Sequence, residues 1–215
     1  MTLSVNQQVW KILQSDLAIQ KDLARKTINM RALAKYLIKK YELRTSLDSI
    51  ISAIRRYQID ETFEEEETAL LHIFKDAMIA TKNNISVITT NISPGEFHRR
   101  FCKTTGHHNH HGMRMVTGTK GIKLIVDQHD LEEFKGMFTK DEIEIIEHDL
   151  SEISVIVNEK AAHTKGVIGR LTSELALSNI NIHELIVCMP EFLVYVKHKD
   201  LVKAHDSLLK LSKEA

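Results

Sequence analysis

Apolar and polar positions follow a helical period over the first 58 residues of the chain. The strongest face is that of the fourth apolar run, which holds Leu47, Ile50, Ile51, Ile54 and Tyr57. Recurrence at three- and four-residue steps is typical of an amphipathic helix. Polar residues suited to an N-cap precede three of the runs, at Ser15, Asn29 and Ser46. The pattern predicts four short helices joined by connections of a few residues.

One further helix is predicted from about Phe63 to Lys82, where Leu70 and Phe74 belong to a shared apolar face. Four consecutive glutamates, Glu64–Glu67, fill its first turn, where the positive end of the helix dipole favours acidic side chains. The apolar face would pack either on a following sheet or against a second subunit.

From residue 151 onward, strand-like and helix-like periods alternate. Residues 151–158 alternate apolar and polar side chains, a helical face begins near Val167, and two short apolar runs follow at 180–187 and 192–198. A last helical face begins at Leu201. The order β-α-β-β-α lacks one strand of the ferredoxin-like unit, in which two helices cover one face of an antiparallel sheet.

Residues 83–150 repeat the same order as a worn first copy of residues 151–215, which form the second copy. The expected elements of the first copy are a strand at Ile85–Ile88, a helix opened by Ser93, Pro94 and Gly95, strands at Arg114–Thr117 and Ile122–Asp127, a helix at His129–Phe138 and a strand near Ile143. The chain is therefore predicted to be an α+β protein. Its expected parts are a helical domain over 1–58, a connecting helix over 59–82 and two ferredoxin-like units over 83–150 and 151–215.

Composition places the chain among globular proteins. It has 215 residues, 43% of them hydrophobic, with a formal net charge of zero. Two cysteines are too few for a disulfide framework, no apolar run approaches the roughly 20 residues that span a bilayer, and no secretory signal opens the chain. We expect a cytoplasmic protein with no membrane partner.

Charge is distributed unevenly along the chain. Residues 1–58 carry eleven Lys/Arg and four Asp/Glu, a net charge of +7, whereas residues 59–67 carry six acids and no base. The break predicts a domain boundary near residue 59.

Basic side chains of the third predicted helix form a stripe. Arg31, Lys35 and Lys39 recur at four-residue steps, and Arg44 follows. Compact helices with such a stripe are typical of a helix-turn-helix domain that binds DNA. A helical bundle with solvated cations, used for packing or dimerisation, explains the same pattern, and the sequence leaves both interpretations open.

A histidine cluster, His107, His108, His110 and His111, lies between glycines. Imidazoles bind zinc, nickel, copper or cobalt, so the cluster is a candidate metal site. A solvated loop or a charge switch near pH 6.5 are the alternatives. Because no glutamate follows in a metalloprotease spacing, and no Walker loop, dinucleotide fingerprint or nucleophile elbow occurs, we predict neither an enzyme nor a cofactor.

The turn before the helix of the second copy carries a family resemblance. His163–Leu171 (HTKGVIGRL), with Leu175-Ala176 and Asn179–Ile182 (NINI), resembles the ACT domain of aspartokinases. That family has a Thr-Pro-Gly-Val turn at the start of its first helix and a Gly-Ile-Asn-Ile step into its second strand. Lys165 replaces the proline and Asn179 replaces the glycine.

The resemblance implies a site for an amino-acid effector between paired ACT domains. The implied ligand-binding residues are Thr164, Lys165, Gly166, Val167, Ile168, Asn179, Ile180 and Asn181. Backbone N–H groups at a helix start suit a carboxylate, Gly166 permits close approach, and Asn181 both donates and accepts hydrogen bonds. Lys165 would either strengthen carboxylate binding or fill the pocket.

The helical domain also resembles the head of some archaeal ACT-containing proteins, over residues 28–41 and 47–57. The ACT resemblance implies an amino-acid-responsive regulator that forms a homodimer through its ACT sheets. The basic stripe of the head predicts that the head binds DNA, or else a partner enzyme. The alternatives are a stand-alone regulatory subunit of an amino-acid biosynthetic enzyme such as aspartokinase, and a metal-responsive protein that uses the histidine loop.

Overall fold

The computed structural model describes residues 3–58, 63–104 and 113–213. The chain divides into two compact units, Met1–Ala69 and Leu70–Ala215, which we call the helical unit and the sheet unit. Among the described residues, no helix has both the length and the apolar character needed to cross a membrane.

The helical unit contains the four short helices that the apolar pattern predicts, α1 (Val5–Gln14), α2 (Leu17–Ala24), α3 (Met30–Tyr41) and α4 (Leu47–Arg55). Asn29 and Ser46 cap α3 and α4 as expected, because their side chains accept backbone N–H groups of the first turn. The expected cap of α2, Ser15, is wrong: Ser15 ends α1, and Asp16 accepts the Ile19 N–H at 3.1 Å. Apolar faces of all four helices form one core.

The connecting helix is shorter than predicted. Helix α5 (Phe63–Phe74) ends eight residues before Lys82, and strand β1 (Met78–Thr90) begins four residues after it. Met78–Lys82 pair with residues 152–156 of another strand, and these long-range hydrogen bonds outweigh the local helical pattern.

The sheet unit contains one six-stranded antiparallel sheet in the order β2-β3-β1-β4-β6-β5. Its other strands are β2 (Arg114–Thr117), β3 (Ile122–Asp127), β4 (Ile143–Ile156), β5 (Glu184–Cys188) and β6 (Glu191–Lys197). Its helices after β1 are α6 (Pro94–Thr104), α7 (Leu131–Lys135), α8 (Val167–Leu177) and α9 (Leu201–Lys213). These elements confirm the α+β class.

The strand order corrects the prediction that the two copies are consecutive segments of the chain. The runs β1-α6-β2-β3-α7 and β4-α8-β5-β6-α9 are the two copies, but β4 is one continuous strand across residue 150, where two strands were expected. The first part of β4 pairs beside β1 and completes the first copy, whereas Met78–Lys82 pair beside the second part of β4 and complete the second copy. The first copy is therefore inserted in the chain between a strand of the second copy and the rest of it.

Bulges divide the two long strands into halves. The β1–β4 register shifts between Lys82 and Ile85 and between Ile85 and Val87. Asn84 and Asp149 lie in these regions with φ of 58° and 57°, the left-handed conformation that Asn and Asp tolerate better than most other non-glycine residues. In each long strand the bulge separates the half that belongs to one copy from the half that belongs to the other.

Side chains on the two faces of the sheet pack in separate clusters. One face is covered by α6 and α7 in the first copy and by α8, α9 and the end of α5 in the second. The other, which we call the inner face, buries Ile85, Val87, Leu150, Leu193 and Tyr195 against each other. Along β6 the two sets alternate, as the two-residue period of a strand requires.

Ion pairs show that the sheet curls around its inner face. Lys123 of β3 pairs with Glu184 of β5, four strands away, which in a flat sheet would be a separation of about 19 Å. Arg114 of β2 pairs with Glu152 of β4 at 2.9 Å, and the Tyr195 hydroxyl donates to the other oxygen of Glu152 at 2.5 Å. The first copy thus supplies the cations and the second copy the anions that close the inner face.

Removing the cation beside the buried carboxylate tests this closure. The Glu152 side chain is 7% exposed, so Arg114→Met leaves a buried charge without its cation and is expected to lower the free energy of unfolding by about 3 kcal/mol. Lys123→Met is the matched control. Its pair with Glu184 is more exposed, and the expected loss is about 1 kcal/mol or less. Urea unfolding measures both, and equal losses would contradict a buried Arg114–Glu152 pair.

A third ion pair, between Arg100 and Glu142, makes the stability of the fold depend on pH. Arg100 of α6 donates two hydrogen bonds of 2.8 Å to Glu142, and this contact lowers the pKa of Glu142 from 4.5 to about 2. Because the pKa is depressed in the folded state, the stabilisation is complete above about pH 4.5 and is lost as pH falls towards 2. Glu142→Gln is expected to flatten the fall in unfolding free energy over this range, and Arg100→Gln to do the same. An unchanged slope in both variants would contradict the assignment.

Candidate functional site

The turn before α8 has the backbone geometry that the resemblance implies. Gly166 is the N-cap of α8 with φ of 84°, in the left-handed region that favours glycine, and it has no side chain to occupy the helix start. Its carbonyl accepts the Arg170 N–H at 2.8 Å. Thr164 donates from Oγ1 to the Lys160 carbonyl at 2.9 Å, Val167 is buried, and Ile168 is exposed. The first N–H groups of α8 have no intrahelical acceptor and so can receive an anion.

The second implied segment lies at the other end of α8. Asn179 has φ of 53°, the conformation that ends a helix, and its N–H donates to the Ala176 carbonyl at 2.9 Å. The Ile180 N–H donates to the Leu175 carbonyl at 3.0 Å, and its side chain is buried in the core. Asn181 is exposed just before β5.

One copy does not bring these two segments together. Helix α8 has 11 residues, so the Gly166 turn and Asn181 are separated by about 16 Å along its axis. A ligand that contacts both segments must therefore lie between two copies, within the sheet unit or across a dimer. Whether these eight residues bind a ligand stays a prediction.

A side chain of α5 lies beside the Gly166 turn, although Gly166 itself is exposed. A Cβ atom placed on Gly166 would lie 3.4 Å from Leu70 Cδ1 and 3.9 Å from Leu70 Cδ2. In the first copy the residue that precedes the corresponding helix is Ser93, whose Oγ accepts the Glu96 N–H at 3.2 Å and whose carbonyl accepts the Phe97 N–H at 3.1 Å. The first helix of the first copy thus begins at a residue with a capping side chain, and that of the second copy begins at a glycine.

A small cavity borders helix α5. It has a volume of about 140 Å³ and is lined by His72, Ile73, Asp76, Met78, Ile156, Val157 and Asn158. The Asn158 N–H donates to the Ile73 carbonyl at 3.4 Å, a long hydrogen bond between the loop and the end of α5. A wider cleft of about 660 Å³ is lined by residues 83–84 and 127–130 at the start of the first copy.

The basic stripe lies on the exposed face of α3, opposite Leu33 and Leu37. Arg31, Lys35, Lys39 and Arg44 are all exposed. On the same helix Lys40 donates to the Tyr36 hydroxyl at 2.6 Å, and this contact raises the pKa of Lys40. A helix-turn-helix role and nucleic-acid binding stay predictions.

The histidine cluster His107, His108, His110 and His111 lies outside the described residues. Within the described ranges, no group of three or more His, Cys, Asp or Glu side chains is arranged to hold a metal ion.

Sequence reasoning did not identify Leu70 or the Arg114–Glu152–Tyr195 contacts. Leu70 was assigned only to an apolar helical face, and its neighbour Gly166 is 96 positions away. In the sequence, Arg114 and Glu152 are simply charged residues within two predicted strands. Only the curl of the sheet brings their side chains together. No local pattern marks such contacts.

Comparisons with known proteins identify the fold. No protein-family model matches the chain, and no curated protein matches its sequence. Aspartate kinase of Clostridium acetobutylicum matches in structure with a TM-score of 0.54 and 20% identity, over 64% of this chain and 34% of that one. The regulatory subunit of aspartate kinase from Thermus flavus matches with a TM-score of 0.52 and 14% identity, over 62% of this chain and 95% of that one.

These likenesses define the fold as ACT-like. The chain spans about a third of the Clostridium enzyme and nearly all of the Thermus subunit. The share of this chain that matches is close to the size of the sheet unit, about two thirds of the residues. At such identities the likeness concerns architecture alone.

Two glycines of the α8 region should respond oppositely to the same substitution. Gly166→Ala places a Cβ at φ of 84° and beside Leu70, so we expect a loss of about 1–2 kcal/mol in unfolding free energy. Gly169→Ala adds a Cβ at an exposed helical position with no heavy atom of the described chain within 4 Å, and we expect a gain of about 0.5–1 kcal/mol. Thermal and urea unfolding measure both changes. A neutral Gly166→Ala would show that the left-handed turn is absent in solution.

Proposed function

We propose that this chain is an amino-acid-responsive regulatory protein, and that it acts as a stand-alone regulatory subunit of an amino-acid biosynthetic enzyme. The observation that carries the proposal is the ACT-like fold of the sheet unit, whose match covers 95% of a chain described as the regulatory subunit of aspartate kinase. In this proposal the effector binds at the motif residues around Gly166 and Asn181.

The proposed chemistry is recognition of a zwitterion without a reaction. The effector carboxylate accepts hydrogen bonds from the N–H groups that begin α8, beside Gly166. The effector ammonium donates to the amide oxygen of Asn181 in a facing copy, because the two segments of one copy are about 16 Å apart. Lys165 is exposed at the edge of this turn and adds positive charge for the carboxylate.

The helical unit would then contact the regulated enzyme. Its first 58 residues carry a net charge of +7, so an acidic surface is the complementary partner. In this proposal an amino acid bound to the sheet unit changes how the helical unit engages that enzyme, and the chain itself carries out no chemistry.

Calorimetric titration with each of the twenty amino acids tests the proposal. We expect at least one of them to bind, and Asn181→Ala to weaken that binding by about tenfold or more through loss of a hydrogen bond to a charged group. Asn6→Ala on α1 removes the same amide from the helical unit and is the control, with affinity expected to stay at the level of the unmodified chain. No heat and no thermal shift with any amino acid at millimolar concentration would overturn the proposal.

A further inference from the structure

Helix α3 has one buried face and one exposed face. Leu33, Ala34 and Leu37 lie on the buried face, in the core of the helical unit. The exposed face consists of two adjacent rows of side chains, residues 31, 35 and 39 in one row and residues 32, 36 and 40 in the other, and all six are exposed. We call this surface the α3 face. At a rise of about 1.5 Å per residue the helix that carries it is about 18 Å long.

The α3 face carries cations and no acid. Its charged residues are Arg31, Lys35, Lys39 and Lys40, and the helix contains neither Asp nor Glu. The successive cations of the first row are four positions apart, so they are neighbours on the helix surface and repel each other. Among the described residues, no carboxylate forms an ion pair with any of the four. The repulsion is left without compensation in that part of the chain, and an anionic partner would relieve it.

The hydroxyl of Tyr36 adds a neutral donor to the α3 face. Lys40 Nζ, which can only donate, gives a hydrogen bond to the Tyr36 oxygen at 2.6 Å. The hydroxyl hydrogen of Tyr36 is therefore left to donate elsewhere, and the residue is 45% exposed. The described part of the chain supplies no acceptor for it. The polar groups of the α3 face thus offer donors, and the matching partner is a surface of closely spaced acceptors.

The two tyrosine rings of α3 are held by the same lysine. Lys40 Nζ lies 5.1 Å from the centre of the Tyr36 ring and 5.4 Å from that of Tyr41, which is cation–π contact. Single-stranded nucleic acids are bound by aromatic rings that stack on successive bases. Because these rings already pack against a cation, the α3 face suits a phosphate backbone better than unpaired bases.

The dimensions of α3 match the major groove of B-form DNA. An α-helix with its side chains is about 10–12 Å across, and this groove is about 12 Å wide. The major groove of double-stranded RNA is too deep and narrow for side chains to enter. The first row of cations lies on one side of the α3 face and Lys40 on the other. A helix placed in the groove in this way can contact the phosphates of both strands.

We propose that the α3 face binds the phosphate backbone of double-stranded DNA, with its four cations at phosphates and the Tyr36 hydroxyl donating to a phosphate oxygen. The rival occupant is the acidic protein surface named above for the helical unit. A protein surface presents carboxylates among N–H and O–H donors, whereas the DNA backbone presents acceptors at even spacing, as the α3 face requires. The inference goes beyond the proposed function and does not rest on it.

Fluorescence anisotropy tests the proposal with the full chain and a labelled DNA duplex of about 20 base pairs and arbitrary sequence. We expect micromolar binding at about 50 mM salt. This binding is expected to weaken about a hundredfold by about 200 mM salt, because about four phosphate contacts release counterions when they form.

Single substitutions assign the contacts. Lys35→Gln and Lys39→Gln are each expected to weaken binding about five- to tenfold at about 0.1 M salt and to lower the slope of log affinity against log salt by about 1. Lys11→Gln removes the same charge from an exposed position of α1 and is the control, with an unchanged slope. Tyr36→Phe is expected to weaken binding about three- to tenfold without changing the slope, since it removes a hydrogen bond and no charge. All four positions are exposed, so each variant is expected to fold.

Three results would overturn the proposal. The first is no binding of the duplex at about 50 mM salt. The second is an equal loss of affinity in Lys11→Gln and Lys35→Gln, which would mean that net charge, and not the α3 face, attracts DNA. The third is displacement of the labelled duplex by polyglutamate or double-stranded RNA of equal charge as effectively as by unlabelled DNA. Polyglutamate would then point to the acidic protein surface. The amino-acid titration is a separate measurement, so either proposal can fail while the other stands.

Discussion

The antiparallel pairing of β1 with β4 is the contact on which the sheet unit depends. Both strands are long, and each serves both copies: the later part of β1 and the first part of β4 complete the first copy, while Met78–Lys82 and the second part of β4 complete the second. Left-handed Asn84 and Asp149 take up the register shifts between the halves. Because neither copy has its full set of strands without the other, the two copies fold as one sheet.

The sheet curls around its inner face, and this curl buries a carboxylate that then needs charged or hydrogen-bonding partners. Curling buries apolar side chains such as Val87 and Tyr195 on the inner face, and it also withdraws Glu152 from water. A carboxylate can be buried in this way only with charged or hydrogen-bonding partners, which Arg114 and the Tyr195 hydroxyl supply. Burial and the hydrogen bond to Glu152 in turn raise the pKa of Tyr195 well above its ordinary value, so the phenol stays protonated as the donor.

Local patterns predicted much of the architecture and little of the site's surroundings. The helices α1 to α4 and the strands β2 and β3 followed from periodicity, because amphipathic helices and short alternating strands carry their signal within a few residues. The end of α5 and the continuity of β4 did not, since both are decided by pairing between strands about 70 positions apart. The Gly166 turn was visible as a motif, but its contact with Leu70 joins residues 96 positions apart.

The placement of the two implied binding segments determines how a ligand would contact the sheet unit. The Gly166 turn and the Asn179–Asn181 segment lie at opposite ends of α8, so a ligand that uses both joins two copies rather than filling one. The two copies also differ at the start of their first helix. In the first copy the Ser93 Oγ accepts the Glu96 N–H at 3.2 Å, so a side chain caps α6. In the second copy Gly166 precedes α8 and has no side chain, so the first N–H groups of α8 receive no bond from the cap residue. The same place in the fold is therefore satisfied internally in one copy and left for another acceptor in the other.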